Sequence, residues 1–454
     1  MNTDSLKKND ILELTFIDMS YEGKGVAKVD GYPIFVEGGI TGETALVKLD
    51  RVEKKYAFGR ITELLIPSQD RAYVKSKDLA LNSTIPLQHV SYSRQLELKT
   101  KIVEDAFKKD PMFKNVLVNH IIGAENEWHY RNKTQVPVRK VDDAMEIGVF
   151  KHNSHQLIPV NNFKINALGI DEIVVGIRDI LVEFNEKPYD ARTNTGNIRH
   201  IIVRHGQNTG EVMVVLVTRS KSLFPQSKIV PAIAALSDNI VSIVHNVNPL
   251  KTAAIMGPES KVVYGKDTFK EVILENTYEV TAESFLQVNT PQAEVLYQTL
   301  LDTLQLDGTE VVLDAYSGIG TISLSLAQRA KEVIGIEIVE EAVIVAVKNA
   351  EINEISNISF IAGDVIEGIK ELSLKPDVVV VDPPRKGLES SFIDDVIALS
   401  PEKIAYVSCN PATLVRDLKP FVSAGYSIDS VQPVDMFPQT THIESIVLLV
   451  KSSI

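Results

Sequence analysis

The chain predicts an α/β protein: a mostly parallel sheet with helices on both faces, preceded by a small β-barrel and a mixed α+β middle region. Three observations predict it. From about residue 290, apolar strand-like runs at 311–314, 332–337, 358–362, 378–381, 404–408 and 443–450 alternate with helical stretches. Residues 1–66 instead carry short alternating segments broken by glycine turns. At 454 residues the chain is too long for one core, so two or three domains are expected.

In the first 66 residues, Ile11-Leu12-Glu13-Leu14-Thr15-Phe16-Ile17 alternates and Gly23-Lys24-Gly25 turns. Segments 26–29, 32–36 and 44–49 follow as strands, with Gly38, Gly39 and Gly42 supplying the turn before the last. Five or so strands in this length suggest an OB-like barrel. Lys54, Lys55 and Arg60 are placed to meet a phosphate backbone, and equally suit an ordinary solvated surface. Residues 67–114 read as a helical linker, because 91–107 repeats Leu96, Ile102, Val103 and Phe107 at helical spacing. Residues 115–275 form the middle domain. Val136, Val138, Ile147, Val149 and the run 211–217 read as strands, and 165–184 and 225–236 as helices. Its basic spots, Arg131 and Lys133, then Arg199 and Arg204, suit either RNA phosphates or a solvated strand edge. Residues 276–454 make the last domain.

The formal net charge is −13, yet it is unevenly spread. Residues 276–454 hold 11 Lys and Arg against 26 Asp and Glu, while the other 275 hold 36 against 34. The first two regions can therefore present basic patches, although charge alone leaves a non-binding enzyme open. One cysteine in the whole chain excludes a disulfide framework and a multi-cysteine metal site, so no metal is expected. The polar first ten residues and the lack of an apolar run of about 18 predict a cytoplasmic protein with no membrane span.

Three motifs carry chemistry. Leu313-Asp314-Ala315-Tyr316-Ser317-Gly318-Ile319-Gly320-Thr321 runs a strand into a glycine turn that opens a helix. Gly318 and Gly320 permit close backbone approach, and the helix start offers free N–H groups. Glu337 ends the next strand, at the spacing of an acid that accepts from both ribose hydroxyls. Position 323 is Ser323, so the third glycine of a dinucleotide site is missing, which favours S-adenosylmethionine over NAD. Asp382-Pro383-Pro384-Arg385 follows the fourth strand, where two prolines stiffen a loop behind a carboxylate. Amino-group methyltransferases also place a Pro-Pro here, usually followed by an aromatic residue; this chain has Arg385.

The third motif joins Cys409, at the end of one strand, to Glu444, at the start of another. If the last strand runs antiparallel, both reach one sheet edge. A thiolate with a base is the equipment for methylating C5 of a pyrimidine. Addition to C6 makes C5 nucleophilic, and a base then removes the C5 proton.

With these motifs, and with Ser284-Phe285-Leu286-Gln287-Val288-Asn289 and Thr440-Thr441-His442-Ile443-Glu444, the chain resembles the bacterial RNA uracil-C5 methyltransferases, which make 5-methyluridine. The resemblance spans essentially the whole chain. It implies a Rossmann-like class I methyltransferase domain, a TRAM RNA-binding barrel at 1–66 and a central RNA-binding domain. It implies Cys409 as nucleophile and Glu444 as proton acceptor. For S-adenosylmethionine it implies Gln287, Tyr316, Glu337 and Asp382, with Gly318, Gly320, Thr321 and Asp364 beside them. Many ribosomal-RNA members carry four cysteines for an iron–sulfur cluster; here those positions align with Ser76, Asn82, Ile85 and Phe163. The chain thus resembles a cluster-free member of the 23S ribosomal RNA branch, acting as a monomer on an unpaired uridine. The barrel argues against the compact transfer-RNA enzymes that lack one. A non-catalytic RNA assembly factor would keep the barrel and middle domain without needing Cys409 and Glu444, and an amino-group methyltransferase would not need Cys409.

Overall fold

The computed structural model describes residues 6–74, 84–151, 154–223, 225–372 and 375–452. Strands β1 (Ile11–Thr15), β2 (Asp18–Met19), β3 (Gly25–Val29), β4 (Tyr32–Glu37), β5 (Thr44–Val52) and β6 (Ala57–Ile66) form one curled sheet in the order β1-β5-β6-β4-β3-β2. Alternate residues point inward, so Leu14, Ala27, Ile34, Val36, Val47 and Leu49 make its core. The ten-residue β6 is absent from the sequence reading because Gly59, Arg60 and Glu63 break its apolar pattern. Gly59 is there for contact: a Cβ would lie 2.6 Å from Val47 Cγ1 and 3.0 Å from the Lys48 carbonyl oxygen. Arg71 closes the barrel by donating through Nε and Nη2 to the two oxygens of buried Glu43, both at 2.6 Å.

Helix α1 (Tyr92–Lys108) follows. It lies where the sequence suggested a linker, but it is a layer of the C-terminal body. Val103 and Phe107 sit in one core with Phe113, Leu414, Leu418 and Phe421. A linker reading missed this because Gln95 and Lys99, both fully buried, look like solvent-facing positions.

The middle sheet comprises β7 (Lys133–Val141), β8 (Ala144–Phe150), β9 (Leu157–Pro159), β10 (Ile198–His205), β11 (Val212–Thr218), β12 (Ile240–Val247) and β13 (Glu259–Gly265), ordered β13-β12-β11-β10-β7-β8-β9. Helices α2 (Ile170–Glu183) and α3 (Gln226–Ala234) cover one face. The other face, with Ile202, Met213, Val215 and Val217, joins the core of the C-terminal body. A strand covered on both sides has no polar face, which explains the unbroken apolar run of β11.

A hairpin, β14 (Phe269–Ile273) and β15 (Asn276–Val280), leads into the last domain. There α4 (Thr290–Leu304), β16 (Val311–Ala315), α5 (Thr321–Ala327), β17 (Glu332–Glu337), α6 (Glu340–Ile352), β18 (Ile358–Ala362) and α7 (Val365–Lys370) alternate. They continue through β19 (Val378–Val381), α8 (Ser390–Leu399), β20 (Lys403–Ser408), α9 (Pro411–Ser423), β21 (Tyr426–Val434) and β22 (Glu444–Lys451). The sheet order is β18-β17-β16-β19-β20-β22-β21. Strands β16 to β20 are parallel, and β22 runs antiparallel to β20, with Ser408 opposite Ser445. That reversal brings the start of β22 to the carboxyl edge of the parallel strands. Edge strand β21 is missing from the sequence reading because Asp429 and Pro433 disguise it; Pro is tolerated at an edge. Among the described residues, no helix is long and apolar enough to cross a membrane.

The segment between β21 and β22 is held by α1. Lys99 Nζ donates to Asp435 Oδ1 at 2.5 Å and to the Phe437 carbonyl at 3.0 Å. Tyr92 OH donates to Asp435 Oδ2 at 2.9 Å. Gln95 exchanges bonds with Gln439, accepting from its backbone N–H at 2.9 Å and donating to its side chain at 3.0 Å. Both ions of the Lys99–Asp435 pair are fully buried. Lys99→Met is expected to strand the carboxylate and destabilise this body by about 3–5 kcal/mol, with Lys99→Met/Asp435→Asn recovering most of the loss. The urea midpoint of the two variants measures it; an unchanged midpoint in the single variant would show that the pair contributes nothing.

Candidate active site

The donor side is built at the end of β16. Tyr316, Gly318 and Gly320 all adopt left-handed backbone, with φ of 70°, 56° and 83°. The Tyr316 and Ser317 N–H groups donate to the Ile336 carbonyl at 2.9 and 3.1 Å, which turns the chain beneath β17. Glu337 accepts from Gly318 N–H at 3.0 Å and from Val339 N–H at 2.9 Å, so both carboxylate oxygens are fixed. The Tyr316 ring packs on Phe392 with centroids 5.8 Å apart. Thr321 opens α5 and its hydroxyl accepts from Tyr297 OH at 3.1 Å. Asp364 is exposed and caps α7, accepting from Ile366 N–H at 2.9 Å. Buried Gln287 accepts through its carbonyl from Asn132 Nδ2 at 3.0 Å, which ties the middle domain to this loop.

These residues fit a nucleoside-bearing polar ligand. A Cβ built on Gly318 meets nothing within 4 Å, so the turn faces open space. Asp314 Oδ1 and Ser317 Oγ are buried without a protein partner. Burial pushes the Asp314 carboxyl up to about 7; Ser323 opposes the shift while the charges of Asp382 and Glu337 add to it.

The reactive side lies on β19, β20 and β22. Cys409 is half-buried and follows Ser408. Asn410 caps α9, accepting from Ala412 N–H at 3.1 Å, with Pro411 as the helix's first residue. Burial pushes the thiol up to about 11, the negative charges of Glu444 and Asp382 add to this, and Arg385 opposes it. Burial also raises the Glu444 carboxyl well above the ordinary carboxylate range, helped by Asp382 and opposed by Arg385. Asp382 is raised by burial as well. Arg385 Nη2 lies 3.4 Å from His442 Nδ1.

Beside this site a cleft of about 620 Å³ opens between the middle and last domains, lined by Arg131, Phe285, Gln287, Arg385, Phe437 and His442. Phe285, 70% exposed, and His442 line the cleft, a placement that is not written in the sequence. Arg385 stands out in the sequence, but its action on both Cys409 and Glu444 is written only in the structure.

The basic candidates divide. Lys54 and Lys55 are exposed on the turn between β5 and β6. Arg131 is half-buried and lines the cleft. Lys133 is half-buried, its amine pushed down to about 8 by burial, then by Arg204 and Arg131. Arg199 and Arg204 correct the sequence expectation, because neither reaches the surface. Arg199 is 3% exposed and Arg204 1%. Arg199 stacks over Tyr189 at 4.3 Å and donates to the carbonyls of Asn248 and Leu250. Arg204 Nη1 donates to the carbonyls of Thr281 and Ser284, at 2.7 and 2.8 Å, bracing the segment that leads to Gln287. Their position inside the doubly covered β10 was the available signal.

Of the four positions aligned with cluster cysteines, Ser76 and Asn82 lie outside the described residues. Ile85, 1% exposed, packs with Val149 against Trp128, Ile158 and Phe163. Among the described residues no group of three or more His, Cys, Asp or Glu is arranged to hold a metal ion.

The strand order, the glycine turn with Glu337 and the antiparallel last strand define a Rossmann-like methyltransferase body. Residues 91–452 match the model of the tRNA (uracil-5-)-methyltransferase family and residues 6–62 that of the TRAM domain. The chain belongs to this family and is an S-adenosylmethionine-dependent RNA (uracil-C5)-methyltransferase. It is 47% identical to an "Uncharacterized RNA methyltransferase" of Enterococcus faecalis, over 98% of each chain. A protein of the same description from Streptococcus mutans is 42% identical over 98% of this chain and 100% of its own. The crystal structure of Pyrococcus abyssi tRNA (uracil-54, C5)-methyltransferase in complex with S-adenosyl-L-homocysteine superposes with a TM-score of 0.78 at 26% identity, covering 96% of this chain and 99% of its own.

Cys409 is the chain's only thiol, so its alkylation by iodoacetamide reads one group. A thiol raised to about 11 is expected to react at pH 8 about 10- to 100-fold more slowly than an ordinary exposed cysteine. The rate should keep rising with pH up to about 11. Where Glu444 is ionised, Glu444→Gln removes a neighbouring negative charge and should speed alkylation. A plateau near pH 8 would contradict this electrostatic picture.

Proposed function

We propose that this enzyme methylates C5 of an unpaired uridine in 23S ribosomal RNA through a covalent bond between Cys409 and C6. The observation that carries the mechanism is that the antiparallel pairing of β22 with β20 brings Glu444 to the same sheet edge as Cys409. S-adenosylmethionine, when bound, supplies the methyl electrophile. Glu337 would hold its ribose, the Gly318–Gly320 turn its close approach, and Gln287, Tyr316, Asp382, Thr321 and Asp364 the remaining contacts.

The Cys409 thiolate adds to C6, and the electron pair of the C5–C6 bond moves toward O4, leaving C5 nucleophilic. Arg385 favours the thiolate, which the carboxyl groups disfavour. After methylation Glu444 takes the C5 proton, the ring double bond re-forms and sulfur departs as thiolate. A carboxyl group with a raised pKa suits this work better than an ordinary one. The uridine must be flipped out of any stack to present C6 to a sheet-edge thiol. Lys54, Lys55, Arg131 and Lys133 are the basic residues left to meet phosphates. Apolar packing around Ile85 and Phe163 supports a cluster-free member.

Transfer RNA is the second reading, favoured by the Pyrococcus abyssi enzyme. Coverage of 96% of this chain leaves too little uncovered to omit the barrel, so a barrel no longer argues against transfer RNA. Mapping 5-methyluridine in both RNA classes with and without the gene decides the target; loss only from transfer RNA would overturn the ribosomal reading.

Cys409→Ala is expected to abolish turnover while donor binding persists, by calorimetry; wild-type rates would sink the covalent mechanism. Glu444→Gln should slow product release by about 10²- to 10⁴-fold and trap RNA on the protein as a slow band on denaturing gels. Normal release with no such band would place the base elsewhere.

A further inference from the structure

The outward face of the barrel carries a row of aromatic and cationic side chains in register. Val26 on β3 pairs with Phe35 on β4, Phe35 with Phe58 on β6, and Phe58 with Arg51 on β5. Their strand neighbours Ala27, Ile34, Val36 and Ala57 point inward and are buried, so the row lies on the opposite, solvent side. Tyr56, 36% exposed, joins it. Phe35 and Phe58 centroids are 5.8 Å apart at a 36° tilt, with Tyr56 edge-on at 5.5 Å from Phe58. Lys24 Nζ lies 4.9 Å and Arg51 Cζ 5.1 Å from the Phe58 centroid. Lys54 and Lys55 sit on the adjoining turn.

We propose that Phe35, Tyr56 and Phe58 form a stacking platform for unpaired bases of the RNA substrate, with Lys24, Arg51, Lys54 and Lys55 holding the phosphates on either side. The inference rests on the RNA reading above and names a site for it. Cross-strand aromatic pairs also stiffen a sheet, but stiffening does not require cations placed at one ring of the cluster. A π-face beside cations is what a single strand uses without sequence preference. The cations are already paired, Lys24 with Glu22 at 2.6 Å and Arg51 with Glu53 at 3.1 Å. Neither pair is buried, and pairs open to solvent are weak and yield to a phosphate.

The test uses the full chain and single-stranded oligouridylate. Phe58→Leu and Phe35→Leu keep an apolar strand residue and should weaken binding on the order of 5- to 150-fold per stacked base. The slope of log Kd against log salt should not change, because no phosphate contact is lost. Lys54→Gln/Lys55→Gln should flatten that slope instead. In a Trp128→Phe background, Phe58→Trp should be quenched by oligouridylate but not by heparin or duplex RNA. Unchanged affinity in both Leu variants, a flattened slope in them, or equal quenching by heparin would overturn the platform; an unchanged pattern of limited proteolysis within residues 6–66 confirms that each variant's barrel is folded. Methyl transfer to cellular RNA is scored separately: transfer without quenching sinks the platform alone, and quenching without transfer sinks the enzymatic reading alone.

Discussion

Lys99 and Asp435 meet where water is excluded, and the carboxyl-edge architecture hangs from that contact. A buried ion pair is costly to assemble and worse to break. Here each ion is satisfied further, Lys99 by the Phe437 carbonyl and Asp435 by Tyr92 and the Phe437 N–H. The segment so fixed leads directly into His442 and Glu444. The same helix face grips Gln439, which sits at a φ of 69°, a conformation held only by its surroundings. An element from the first quarter of the chain thereby sets where the last strand begins.

The site behind that segment is crowded with acid. Asp314, Asp382 and Glu444 all lie above the ordinary carboxylate range, chiefly through burial. Arg385 opposes the shifts of both Cys409 and Glu444. The resting pocket therefore favours thiol over thiolate at Cys409. An acidic body also repels phosphates, so the proposed grip falls to the barrel and middle domain.

The family and its methyl donor were legible in the sequence because their signals are local. A glycine turn, an Asp-Pro-Pro and a cysteine before a helix-opening proline are each read from adjacent residues. Strand β22 could be read as apolar, but its antiparallel sense needed the structure. Two of the errors share one physical cause, the burial of polar residues. Lys99 and Gln95 made α1 look like a linker; Arg199 and Arg204 looked like surface cations and are internal braces. Strands β6 and β21 escaped because Gly59 and Pro433 answer to neighbouring backbone, not to a pattern along the chain.

The Lys99–Asp435 contact spans 336 residues, and that separation has a temporal meaning. Chains grow at about 5–20 residues per second, so α1 waits roughly 17 to 67 s for its partner to be synthesised. Throughout that interval the amine of Lys99 has no Asp435 to meet, and the apolar face bearing Val103 and Phe107 is covered only as the later strands and α9 are made. Nascent chains of this protein thus pass through a stage in which the barrel is already made while α1 still waits for its last-domain partners, the stage at which a chaperone has most to protect.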